Sequence, residues 1–432
     1  MSASTRGARF VRLRHLPGAA CHNGLMTEAS PRTRGSLRML SYSDQGGRPH
    51  GIQIMVRNDH AYIGQARYGG FSILDVSNPR EPKPAGFVPT APSTLNIHLQ
   101  VHDDLLLVVD GANLFRLYGS AEAYYAQSMQ GWTSNQLGQR GVDFMAGMRV
   151  YDLSKPAEPR QIGYLDIDGL GLHRIWYDGG RYAYASALLE GYTDHILLIV
   201  DMADPTHPRE AGRWWIPGMW RAGGETPSWT SGRVALHHAL VADGIAYGSW
   251  RDGGLTIVDV HEPAHPELLA HRNWRPPFGG GTHSALPLPE RDLLIDADEA
   301  VLEDCADGPK YVWVFDVREK RNPISIATFP VPAEQDYCKA GGKFGPHNLH
   351  ENREGSFQSS EIIFVTYQNA GLRVVSTANP FRPEEIAAFV PTPPPGATQA
   401  VPPASADVFV DRRGLVYLTD AASGLHILEF ET

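Results

Sequence analysis

Along the chain, short runs in which apolar and polar residues alternate end on an acidic or hydroxyl residue, followed by a proline-bearing turn. GGFSILDVSNPREP ends its run at Asp75, MRVYDLSKPAEP at Asp152, ILLIVDMADPTHP at Asp201, GGLTIVDVHEPAHP at Asp259 and KYVWVFDVREKRNP at Asp316. AGLRVVSTANPFRP carries Ser376 in the same place, and SGLHILEFET carries Glu429. Alternation with β-branched residues marks strands, and Asp, Asn or Ser ahead of Pro marks turns. Two more short strands precede each block; in the fourth copy these are LHHALV and IAYGSW, joined by ADG. One more follows, such as LLAHRNW. A recurring unit of four antiparallel strands is the blade of a propeller. The expected fold is therefore all-β, a seven-bladed β-propeller of four-stranded antiparallel blades. The last copy lacks its fourth strand, and SLRMLSY (36–42) supplies it by pairing with the C-terminal GLHILEF, which closes the ring and removes exposed edges.

This reading makes residues 36–432 one propeller and residues 1–35 a loose N-terminal arm. In an up-and-down blade the Asp-Pro turns share one face, taken as the lower. The long insertions at 118–147, 214–235, 330–346 and 390–406 share the upper face, where a rigid scaffold would present a binding surface.

Composition narrows the partners. The formal charge is -10, and no basic run follows RGARFVRLR near the start, so nucleic-acid binding is not expected. No stretch approaches the roughly 20 apolar residues of a membrane-spanning helix. The first 35 residues lack the continuous apolar segment of a secretory signal, so a cytoplasmic location is expected. Cys21, Cys305 and Cys338 are too few for a disulfide framework. Cys305 and Cys338 are nonetheless able to meet between neighbouring blades. Oligomeric state is left open.

Candidate chemistry appears when the innermost strands are aligned. NIHLQVHDD, GLHRIWYDG, VALHHALVADG, GGTHSALPL and FGPHNLHEN place His98, His173, His238, His283 and His347 at one height. The first and seventh blades offer Gln53 and Asp407 there. Innermost strands line the central channel, so these imidazoles converge, and neutral imidazoles aimed at one point suit a divalent transition metal. Fe(II) is favoured, with Mn or Zn as alternatives. The competing reading is a structural His cluster bonded to water and backbone in a non-catalytic binding propeller. His237 and His350 lie beside the aligned positions as acid or base candidates, with Tyr367 and Arg251 at the strand ends above. Glu190, Glu299 and Asp110 are placed to hold the outer nitrogens of ligand histidines. Trp176, Trp220, Trp229 and Trp250 lie near the upper loops and are candidates to line an aromatic pocket. No GxSxG elbow, CxxC pair or strand-GxGxxG-helix context occurs.

The repeat resembles that of the LVIVD-repeat proteins, over roughly residues 36–432. That likeness implies the fold and no particular reaction. The His ring resembles the carotenoid cleavage oxygenases in arrangement, though not in sequence motifs. It implies a non-haem iron with His173, His238, His283 and His347 as ligands, supported by Glu190 and Glu299. Selenium-binding (methanethiol oxidase) propellers and oligogalacturonate-type lyases are partial likenesses. The expected function is a metal-dependent oxidoreductase acting on a small apolar or aromatic molecule, with a metal-dependent lyase as the alternative.

Overall fold

The computed structural model describes residues 35–114, 141–392 and 401–431. The expected arm 1–35, apart from Gly35, and most of the 118–147 insertion lie outside the described residues, as do residues 393–400. The described residues are almost all strand and turn, in curled antiparallel sheets of a propeller-like fold. No helix among them is long and apolar enough to cross a membrane.

The repeat's acidic residue has a local job. Asp75 Oδ1 accepts the Ser77 amide at 2.9 Å, and Asp152 accepts Ser154 at 2.8 Å. Asp201, Asp259 and Asp316 accept the amides of Ala203, His261 and Arg318 at 3.0 Å each. Each is an Asx turn, in which a short acceptor satisfies a backbone donor that the strand no longer pairs. Ser376 makes a longer contact of 3.4 Å to Ala378. Glu429 makes no such turn. It lies within the last strand, Gly424–Glu431, and pairs with Arg38.

That last strand pairs antiparallel with Ser36–Ser43, as the sequence predicts. Phe409, Tyr417, Leu425 and Ile427 of the last repeat share a buried cluster with Ile54, Tyr62, Phe71 and Leu99. The first and last repeats are thus joined by both backbone and core.

Sheet boundaries differ from isolated four-stranded units. The strands Gly51–Arg57, His60–Gln65, Gly70–Asp75 and Lys83–Pro89 form one sheet of four. The second and third repeats share a nine-stranded sheet, and the fourth and fifth an eight-stranded one. Single ladder pairs make these joints, Gly111 with Gly171 and Arg251 with Thr282. The first joint needs glycine, because a Cβ on Gly171 (φ +112°) would lie 2.2 Å from the Gly111 Cα. In the sixth repeat three strands form the sheet, and the segment bearing His347 joins it through the bridge Leu349–Val365 and through backbone bonds such as His347 N–H to the Thr366 carbonyl at 2.9 Å.

The innermost strands are irregular where they reach the centre. Register shifts fall between Leu172 and Ile175, between Val234 and His238, and between Thr282 and Ser284. An extra residue at such a bulge resets which side chain faces which way.

Candidate metal centre

Five imidazoles meet, each from a different repeat. Ring centroids follow one another at 5.0 Å from His98 to His173 and 4.8 Å from His173 to His237. His283 lies 3.6 Å from His237, and His347 4.5 Å from His283. Two groups of ligand atoms are close enough to hold a metal ion, His98 with His173 and His237, and His283 with Glu299 and His347. His98, His173, His283 and His347 thus come together, and Glu299 lies among the ligand atoms rather than behind them on an outer nitrogen, where the sequence places it. In the fourth repeat the ring belongs to His237 rather than to His238. The bulge between Val234 and His238 breaks the alternation on which the alignment relied. His238 faces another buried group. Its Nε2 lies 3.9 Å from Glu351, and burial together with the Arg174 charge lowers its pKa to about 3.

Hydrogen bonds fix the tautomers. His237 Nδ1 donates to the His283 carbonyl oxygen at 2.8 Å, and His347 Nδ1 to the Ala406 carbonyl oxygen at 2.5 Å. A carbonyl can only accept, so each ring keeps its lone pair on Nε2. His283 Nδ1 lies 3.0 Å from Ser284 Oγ, a hydroxyl able to accept from it. The Nε2 atoms of His283 and His347 each stand 3.7 Å from a different oxygen of Glu299. Burial, and then neighbouring guanidinium and imidazole groups, push His98, His173, His237 and His283 well below the ordinary histidine value. Neutral rings are the form that binds metal.

Three buried ion pairs surround the rings. Arg251 Nη1 donates to Glu299 Oε2 at 3.0 Å. Burial alone would raise the Glu299 carboxyl, yet the Arg251 charge holds it below its usual range. Arg251 itself sits in the left-handed region (φ +49°), a conformation that concentrates at functional sites. Arg233 clamps Asp194, which accepts His195 Nδ1 at 2.8 Å. Arg174 donates to His98 Nδ1 at 3.0 Å and to Glu351 Oε1 at 3.1 Å.

Several expected site residues stand elsewhere. His350 turns outward between Phe364 and Phe409. Its Nε2 donates to the Phe357 carbonyl oxygen at 2.8 Å, and its Nδ1 accepts the Val410 amide at 3.2 Å, so both nitrogens are consumed as structure. Tyr367 packs on Phe344 in the inter-sheet core rather than on the rings. Asp110 binds Arg149 and Asn96 instead of a histidine. Glu190 is exposed beside a surface cleft that Tyr192 and Arg221 also line. Among the described residues Trp176, Trp220 and Trp250 do not line one common pocket. Trp250 is buried with its Nε1 on Thr256, Trp176 lies under Arg353, and Trp220 is largely exposed.

The alignment missed His195, Arg174 and Glu351. His195 is buried, with its ring 5.7 Å from His173. Its signal was the neighbouring Asp194. Arg174 and Glu351 gave none, since each lies on a segment too irregular to count in twos.

A cavity of about 640 Å³ is lined by Arg233, Arg251, Arg275, Phe278, Leu302 and Lys310 among others, and it meets the site through Arg251, which bonds Glu299. Behind its wall Cys305 and Cys338 form a disulfide, with Cα atoms 5.4 Å apart.

Residues 51–90, 180–215 and 240–271 match the LVIVD repeat. No curated protein matches the chain. Among solved structures, the β-propeller domain of Myceliophteria thermophila Cps50 (Swd1) is similar over 89% of this chain and 97% of its own, with TM-score 0.52 and 11% identity. Saccharomyces cerevisiae Sqt1 is similar over 92% and 99%, with TM-score 0.51 and 9% identity. At such identities the likeness supports the propeller fold alone.

Proposed function

We propose that the chain is a closed ring of seven four-stranded blades, and that it is a metal-dependent oxidoreductase with Fe(II) favoured at His283, Glu299 and His347. One observation carries this reading: the Nε2 atoms of His283 and His347 face the two oxygens of one carboxylate across gaps of 3.7 Å, and the bond of His347 Nδ1 to the Ala406 carbonyl leaves a lone pair on that ring's Nε2. Lone pair against carboxylate is repulsive unless a cation stands between them. Bonds of about 2.0–2.2 Å to nitrogen and oxygen would close those gaps with small side-chain movements. Two imidazoles and one carboxylate with open positions are the ligand set of non-haem Fe(II) oxygenases. When bound, the metal would supply redox and Lewis-acid chemistry and a template for a small substrate.

The chain's own residues do the rest. The Ala406 carbonyl and Ser284 hydroxyl orient the two rings, as outer partners of ligand histidines do. Arg251 fixes Glu299 and presents its charge to the adjoining cavity. Phe278 and Leu302 give that cavity apolar walls suited to a substrate with an apolar or aromatic body. A lyase reading is weaker, because His350 and Tyr367 turn away and His237 alone of its proposed bases remains near.

The test is elemental analysis of protein purified anaerobically from iron-replete cells, beside Glu299→Gln. Retained iron that falls by more than about tenfold in the variant supports the reading, since even outer partners change metal affinity that much. Wild-type protein that retains no divalent transition metal overturns it. Oxygen uptake with candidate apolar or aromatic substrates then tests the reaction.

A further inference from the structure

The metal reading uses one of two groups of potential ligands. The second, His98 with His173 and His237, has its ligand atoms within 4.8 Å of one another. We infer that the ring is a two-ion centre, with a second divalent ion held by His98, His173 and His237 beside the one at His283, Glu299 and His347. The inference rests on the metal reading above.

Three features support it. The second group contains imidazoles only, from three different repeats, and a His₃ set is sufficient for a zinc- or copper-type ion with an open position. His237 already has the tautomer that ligation needs, because its Nδ1 proton is committed to the His283 carbonyl oxygen. That same bond, with the two rings stacked at 3.6 Å, makes His237 and His283 a common wall between the groups. A ligand of one ion is thereby positioned by a ligand of the other.

The two ions are not equivalent. Arg174 donates to His98 Nδ1, so His98 becomes a ligand through that nitrogen only when Arg174 gives up the bond. Arg174 then retains Glu351, at 3.1 Å. The second ion is therefore the weaker, and a chelator removes it first.

The probe is Zn(II) alone, titrated into the metal-free full-length protein against a chromophoric chelator. Wild type is expected to take up two equivalents with distinct affinities. Glu299→Gln should lose the tighter equivalent and keep the weaker, and His173→Asn should do the reverse. His98→Gln repeats the second arm if His173→Asn fails to melt cooperatively. A single wild-type equivalent, abolished by Glu299→Gln and untouched by His173→Asn and His98→Gln, overturns the second ion and leaves the first. A single equivalent lost in both kinds of variant means one ion shared by all the rings, and also overturns the pair. No uptake at all removes the metal reading itself.

Discussion

His237 lies flat against His283, ring centroids 3.6 Å apart, and donates its Nδ1 proton to the His283 carbonyl oxygen 2.8 Å away. Its sequence neighbour His238 instead approaches Glu351 in a separate buried group. Two adjacent residues of one type therefore have different consequences. His237→Asn should lower Zn(II) uptake, and His238→Asn should leave stoichiometry unchanged. Equal losses in the two variants would show that the bulge does not sort them as described.

The Asx turns predict a small, local stability effect. Asp259→Ala removes the acceptor of the His261 amide and should cost about 1 kcal/mol, the usual worth of one such hydrogen bond. Ser376→Asp should raise stability by up to about 1 kcal/mol, because it shortens the 3.4 Å contact into the turn the other repeats make. Denaturant midpoints check both. A stabilised Asp259→Ala would overturn the turn's assigned role.

His350 predicts a pH dependence. Burial first, outweighing its backbone partners, lowers its pKa to about 4 in the fold, against 6.5 ordinarily. Above pH 6.5 the ring is neutral in both folded and unfolded chains, so it adds no slope. As pH falls from 6.5 to about 4 the unfolded chain takes up the proton first, and stability is lost, by about 3 kcal/mol for this group alone. His350→Gln should start less stable at pH 7 and then fall less steeply towards pH 4. Parallel profiles for variant and wild type would contradict this.

The disulfide predicts a thiol count. The chain contains three cysteines. Under denaturing conditions only Cys21 should react with a thiol reagent before reduction, and all three afterwards. Reduction should cost about 2–4 kcal/mol, the ordinary worth of a cross-link across a loop of this size. Such a bond persists in oxidising surroundings and is rare in a reducing cytosol.

The architecture was legible because its signals are local. An apolar alternation ending in Asp and a Pro turn is written within about a dozen residues, and the structure uses that Asp to close the turn. The strand Ser36–Ser43 was legible for the same reason, as a strand without a partner nearby. Most of the His ring was legible too, since one residue type recurred at one place in five repeats. What escaped depends on departures from regularity. Counting in twos selects His238, and a bulge selects His237. Asp110 lies in a strand, and Glu190 and Glu299 each just past one. Only the fold decides that the first meets Arg149, the second lines an exposed cleft, and the third meets two imidazoles. Arg174 and Glu351 act across the centre, between segments that have no neighbourhood in sequence.

The pairing of Ser36–Ser43 with Gly424–Glu431 sets an order of events during synthesis. The sheet that holds Ser36–Ser43 is completed only by Gly424–Glu431, so it stays open until that distant strand has been made. The five imidazoles, drawn from five repeats, are held at their spacing by the sheets around them. A growing chain offers scattered histidines, and a finished one offers a pocket of set diameter. Under the proposed function, loading with metal is thus a step for the folded molecule, and a chain lacking either of these strands is expected to be defective in metal uptake even with every ligand present.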